Sequence, residues 1–149
     1  MEIIGFAGGA VFTAGGDGFV FTAGISPALA AAAMKAIEII RRDNTTVAAL
    51  HRNIEYFVRR AKEEGLNTCL AKESAIVPVL IGSDEHAAML SAFMLREGVF
   101  VPPAMYPAVP KGQSRLRFSI TAAHSIEQLE TAVSTLSRLM REYGFIDAE

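Results

Sequence analysis

Ser114-Arg115-Leu116-Arg117-Phe118-Ser119-Ile120-Thr121 alternates apolar and polar residues without a break. Successive side chains of a strand point to opposite faces, so Leu116, Phe118 and Ile120 share one face and Arg115, Arg117 and Ser119 the other. The stretch therefore predicts a strand with one side set against a core. Just upstream, Pro107, Pro110 and Gly112 punctuate a stiff loop that delivers the chain to it. Downstream, a helix is expected from about Ser125 to Tyr143, with Leu129, Val133, Leu136 and Met140 on its buried stripe.

The elements before the loop follow from caps and breakers. Val99–Val101 reads as a short strand ending at Pro102-Pro103. A helix precedes it, capped by Ser83 or Asp84, running through Arg96 and closed by Gly98. Ala75–Ile81 is an apolar strand, and Pro78 inside it points to an edge position or an irregularity. Another helix is expected from about Thr46 to Glu64, with Leu50, Ile54 and Phe57 on one stripe and Gly65 closing it. Ser26 is a good N-cap, Pro27 fits the first helical position, and the alanine-rich run to Ile40 has high helix propensity. Arg41 and Arg42 then suit the negative end of that helix. Residues 3–24 mix short apolar runs with glycines and read as extended segments and turns. Long helices followed by strand-helix-strand-strand-helix argue for an α+β fold, a small sheet layer packed on helices.

Apolar residues make up 51% of the 149 residues, charged ones only 20%, and the net charge is −2. Such richness excludes disorder, and the near-neutral balance leaves no footprint for nucleic acid. Counted with glycine and without tyrosine, the apolar share is about 57%, above the usual 45–50% of soluble chains. That excess suggests surface buried against a partner subunit or a missing part of the same protein. The run from Asp17 to Lys35 is too short and too interrupted by Ser26-Pro27 and glycine to span a bilayer. Glu2 near the start, with Lys35 the first basic residue, argues against a secretory signal, so a cytoplasmic protein is expected.

Chemistry-bearing groups are few. Cys69 stands alone, which removes any internal disulfide; a buried or inert thiol is expected. His51 and His86 sit on expected helices without partners at metal-ligand spacing, so no metal site is expected. His124, next to Ser125, suits a helix-cap neighbour or a half-buried histidine. Nucleophile-elbow, zinc-protease, dinucleotide and phosphate-loop patterns are all missing. What stands out is Arg115-Leu116-Arg117. Two guanidinium groups on one face of a strand suit bidentate carboxylate recognition, or else form a solvated face paired to surface acids.

Four segments taken in order go further: Phe21-Thr22-Ala23-Gly24-Ile25-Ser26-Pro27, Ala75-Ile76-Val77-Pro78-Val79-Leu80-Ile81-Gly82, Tyr106-Pro107-Ala108-Val109-Pro110-Lys111-Gly112, and Arg115-Leu116-Arg117 followed by Thr121-Ala122-Ala123-His124. Together they resemble the C-terminal portion of the α-oxoamine synthases, pyridoxal-phosphate enzymes that condense an amino acid with an acyl-CoA. The resemblance spans about Gly18 to Phe145. It divides the chain into a poorly matched extended segment, 1–17, and an α-oxoamine-synthase-like C-terminal domain, 18–149. It implies the small domain of fold-type-I enzymes, with a short, mostly antiparallel sheet packed on long helices. It also implies a homodimer or another homo-oligomer.

The resemblance assigns Arg117 to the substrate carboxylate. Thr22 falls where the family has a hydroxyl reaching the cofactor phosphate of the neighbouring subunit, although Ala23 stands where relatives often carry a second hydroxyl or amide. The family's Schiff-base lysine, stacking histidine and ring-nitrogen aspartate lie upstream of this stretch and have no counterparts here. Pyridoxal phosphate is thus implied as cofactor but is not expected to be bound covalently by this chain alone. The chain is expected to be a fragment, a split subunit or a degenerate relative. The alternative is a catalytically silent interaction domain that pairs with a full-length homologue.

Overall fold

The computed structural model describes residues 4–5, 26–72 and 74–145. Thr22 and nearly all of the glycine-rich stretch, with the extended segments expected there, lie outside the described residues. The chain divides into two compact units, Gly9–Ala48 and a larger one made of Met1–Gly8 with Ala49–Glu149.

In the smaller unit, α1 (Pro27–Arg42) starts as its sequence dictates. The Ser26 hydroxyl accepts from the Leu29 amide at 3.4 Å, and Pro27 occupies the first turn, where a missing N–H costs nothing. Lys35 pairs with Glu38 at 2.9 Å along its surface. No residue of α1 is buried, and Met34 is 71% exposed, with Leu29 and Ile37 also more than half exposed.

The larger unit is built on α2 (Thr45–Glu63), whose first turn belongs to the smaller one. Asn53, Ile54, Phe57, Val58 and Ala61 form its buried stripe, with Leu50 packed at the margin. At its end Gly65, at φ 76°, donates to Lys62, and Leu66 donates to Ala61 at 2.8 Å. This paired closure needs a left-handed residue, which glycine adopts without a Cβ clash. The same closure ends α4 (Ile126–Glu142), where Gly144 donates to Arg141 and Phe145 to Met140. Ser125 and Gln128 form a capping box at the start of α4.

Strands β2 (Ile76–Gly82), β4 (Pro103–Ala104) and β5 (Ser114–Ser119) make an antiparallel sheet in the order β2-β5-β4. Pro78 lies on an edge strand, as its missing N–H requires, and the register slips between Leu80 and Gly82. A separate parallel pair joins β1 (Ile4–Gly5) to β3 (Val99–Phe100). The strand expected at Val99–Val101 thus stops one residue early. Pro103–Ala104, expected to end a strand and open a loop, instead pairs with Leu116 and Arg115. The reason is that proline lacks only a donor: the Pro102 carbonyl still accepts from the Arg117 amide at 3.0 Å.

Leu116 and Phe118 of β5 point into the core with Ile120 beyond it, opposite Val79 and Val77 of β2. The Phe118 and Phe57 rings meet with centroids 4.9 Å apart. Leu90 and Met94 of α3 (Asp84–Arg96) and Leu129 and Leu136 of α4 complete it. Each such side chain contributes about 1.5–3 kcal/mol by leaving water.

Polar groups fix how the helices meet. Buried Asn53 donates through Nδ2 to the carbonyls of Thr121 and His124, both at 2.9 Å, tying α2 to the turn after β5. Between α2 and α4, Tyr56 and Arg60 both donate to Glu130, at 2.7 Å in each case. The Arg60 guanidinium, then the Tyr56 hydroxyl, hold the Glu130 carboxyl down at about 2 from its ordinary 4.5. A carboxyl depressed in the folded state stabilises above its unfolded value and loses that contribution as pH falls through the folded one. Resistance to urea is therefore expected to decline between about pH 4.5 and 2, and Glu130→Gln to flatten part of that slope. Equal slopes for both proteins would show that Glu130 does not carry it.

Candidate functional site

The outer face of β5 carries Arg115, Arg117 and Ser119, and its cross-strand neighbours on β2 are Leu80, Pro78 and Ile76. The two arginines are half-buried among these apolar side chains rather than freely solvated. They are not equivalent. Arg115 bends back onto its own loop, donating from Nε to the Gln113 carbonyl at 3.0 Å and from Nη2 to Gln113 Oε1 at 3.3 Å. Arg117 has no ion pair and no side-chain hydrogen bond among the described residues, and its Nε is buried without a partner. A guanidinium held on a rigid strand with its fork unused is ready for an incoming planar anion.

The loop leading into β5 is anchored by Asp84, the first residue of α3. Ser114 donates its hydroxyl to Asp84 Oδ1, and the Tyr106 amide donates to the same oxygen at 3.4 Å. Tyr106-Pro107 is a cis peptide, and Lys111 Nζ lies 5.2 Å from the centre of the Tyr106 ring. Ser83 and Asp84 are both competent caps by residue type. Ser83 is the cap, accepting from the His86 amide at 3.1 Å, which frees the Asp84 carboxylate for the loop. Two cap-competent residues side by side are the signal that one has another task.

The remaining candidates are structural or lie elsewhere. The Thr121 amide donates to His124 Nδ1 at 3.2 Å, placing the histidine in the turn before the Ser125 cap. The His86 ring lies 4.5 Å from that of Phe145, and among the described residues no group of three metal-ligating side chains forms. Of the buried or inert thiol expected at Cys69, the buried alternative does not hold: Cys69 is exposed, at φ 55°, in a turn where its amide donates to Asn67 Oδ1 at 2.9 Å. That side-chain bond stabilises a left-handed turn that local apolarity does not reveal. Thr22 lies outside the described residues. Lys62 and Lys72 line an open groove of about 950 Å³ along α2, Lys35 pairs with Glu38, and Lys111 caps Tyr106. No helix among the described residues is long and apolar enough to cross a membrane.

The sequence pattern of the family described as "Aminotransferase class I and II" matches residues 13–136. The chain is 38% identical over 131 residues to 8-amino-7-oxononanoate synthase of Symbiobacterium thermophilum, covering 88% of this chain and 33% of that protein. It is 35% identical over 128 residues to the 8-amino-7-oxononanoate synthase of Lysinibacillus sphaericus, covering 86% and 33%. In three dimensions it is similar to the serine palmitoyltransferase of Sphingomonas wittichii, with a TM-score of 0.75 and 29% identity over 85% of this chain and 32% of that one. The chain spans about a third of the length of the curated relatives it matches.

Proposed function

Because the chain belongs to the aminotransferase class I and II family, we propose that it is the C-terminal part of a pyridoxal-phosphate-dependent acyltransferase. The complete enzyme condenses an amino acid with an acyl-CoA, in the cytoplasm. This chain supplies the clamp for the amino acid's carboxylate. The observation that carries the reading is Arg117, half-buried and without a side-chain hydrogen bond among the described residues, beside an Arg115 whose Nε and Nη2 are bonded to Gln113. A planar fork with nothing to hold is the group a carboxylate needs, and it fixes orientation as well as charge.

Pyridoxal phosphate supplies the electron sink for carbanion chemistry when bound. The described residues do not fit as its attachment: the four lysines sit on helices and in loops, in a surface pair, in an open groove or against a tyrosine ring. The role of this chain is therefore confined to binding. Thr22 is assigned the hydroxyl contact to the cofactor phosphate of a neighbouring subunit.

Joined to the missing two thirds of an 8-amino-7-oxononanoate synthase, the chain is expected to restore release of free CoA thiol from an acyl-CoA plus an amino acid. A fusion that folds, by circular dichroism, yet releases no thiol with any of the common amino acids overturns the reading. The chain alone is expected to leave pyridoxal phosphate unattached. Borohydride treatment followed by peptide mapping that finds one pyridoxylated lysine would contradict this.

Contacts with a second subunit are assigned to α1, whose Leu29, Met34 and Ile37 all lie open. Exposed apolar surface of this kind marks an interface. Sedimentation is expected to show concentration-dependent self-association that Ile37→Glu weakens. A monomer at all concentrations that also binds no hydrophobic dye counts against it.

A further inference from the structure

Two residues past Arg117, on the same face of β5, Ser119 keeps only 6% of its surface exposed. Its hydroxyl oxygen has no hydrogen-bond partner among the described residues. The other two buried serines are satisfied, Ser114 by Asp84 and Ser137 by Glu64. The cross-strand neighbours cannot help Ser119: Ile76 stands opposite it and Pro78 opposite Arg117, and neither offers a polar side-chain atom. Thr68 also carries an orphaned hydroxyl, but it sits in the connection between α2 and β2 rather than on the strand.

A buried hydroxyl without a partner is a net loss to folding, and its persistence calls for an explanation. Here it does not stand alone. Arg117 Nε is orphaned too, and the two residues are one pleat repeat apart, about 6.6 Å along the strand. Unmet donors on one face at that spacing define a single polar spot in apolar surroundings.

We propose that Ser119 is a second substrate-contacting residue, donating its hydroxyl hydrogen to the same amino-acid carboxylate that Arg117 clasps. The inference rests on the Arg117 reading above. A carboxylate offers about four lone-pair positions, and an arginine fork uses two. Because Nε is the orphaned atom, the fork that satisfies it is the side-on one, through Nε and one terminal nitrogen. The carboxylate lone pairs left free are then available to the hydroxyl of the next residue on that face.

Ser119→Ala tests this in the complete enzyme formed by the fusion. The KM for the amino acid is expected to rise about three- to tenfold, with kcat and the KM for acyl-CoA held within about twofold. Thermal unfolding of the chain itself should be unchanged or slightly raised, because an unmet buried hydroxyl has been removed. A lowered unfolding temperature with an unaltered amino-acid KM would show that the hydroxyl serves the fold, and would overturn the proposal. Equal rises in both KM values would also overturn it, as a general disturbance. If Arg117→Ala weakens amino-acid use while Ser119→Ala does not, the serine assignment falls and the arginine clamp stands. If Arg117→Ala has no effect, both fall.

Discussion

Arg117→Ala is expected to lower kcat/KM for the amino acid about ten- to a hundredfold in the complete enzyme, with little change in stability. A hydrogen bond to a charged group contributes roughly 1.5–3 kcal/mol, which sets that range. Folding is spared because the side chain makes no ion pair among the described residues, and the hydrogen bond from its backbone N–H to the Pro102 carbonyl survives the substitution. Arg117→Lys should recover only part of the loss, since a point charge cannot reproduce two parallel N–H donors. Arg115→Ala is the internal control. Its side chain is held by Gln113, so its removal should leave kcat/KM nearly unchanged. Equal, small losses for the two arginines would place the clamp elsewhere.

Phe118→Ala is expected to cost about 3–5 kcal/mol of stability, a large part of the total for a domain of this size. Phe118 is fully buried, rests against Phe57 with ring centroids 4.9 Å apart, and stands opposite Val77 on β2. Truncation removes apolar contact and leaves a void that neighbours pinned by Asn53 and by the helix caps fill poorly. Urea unfolding followed by circular dichroism measures the loss. Leu70→Ala, at a side chain 93% exposed, should change stability by no more than about 0.5 kcal/mol. A Phe118→Ala loss no larger than that of Leu70→Ala would mean that β5 does not anchor the core. Because Arg117 and Phe118 are adjacent but face opposite ways, the pair of variants separates binding from folding on one strand.

The α-oxoamine-synthase-like segments and the family match agree over nearly the same stretch, Gly18 to Phe145 against residues 13–136. The motif order was therefore the most informative feature beyond the fold itself. It pointed to Arg117 rather than Arg115, a distinction that spacing alone left open. Among the described residues Arg115 is hydrogen-bonded to Gln113, whereas Arg117 makes no side-chain hydrogen bond.

By itself the sequence determined whatever depends on contacts within about five residues. Ser26 caps its helix, another helix starts beside Ser125, Gly65 and Gly98 close two more, and Leu129, Val133, Leu136 and Met140 form one buried stripe. The alternation from Ser114 onward set both faces of β5. Capping, periodicity and handedness are local chemistry, so they can be read along the chain. Tertiary structure alone decided which distant groups meet. Pro103–Ala104 became a strand because β5 presented donors to it, Asp84 was recruited by a loop some twenty residues away, and Cys69 was turned outward. Ser119 was buried and Arg117 left unpaired by the same long-range choices. A donor's partner is selected by packing between segments far apart in sequence, and no short-range pattern encodes it.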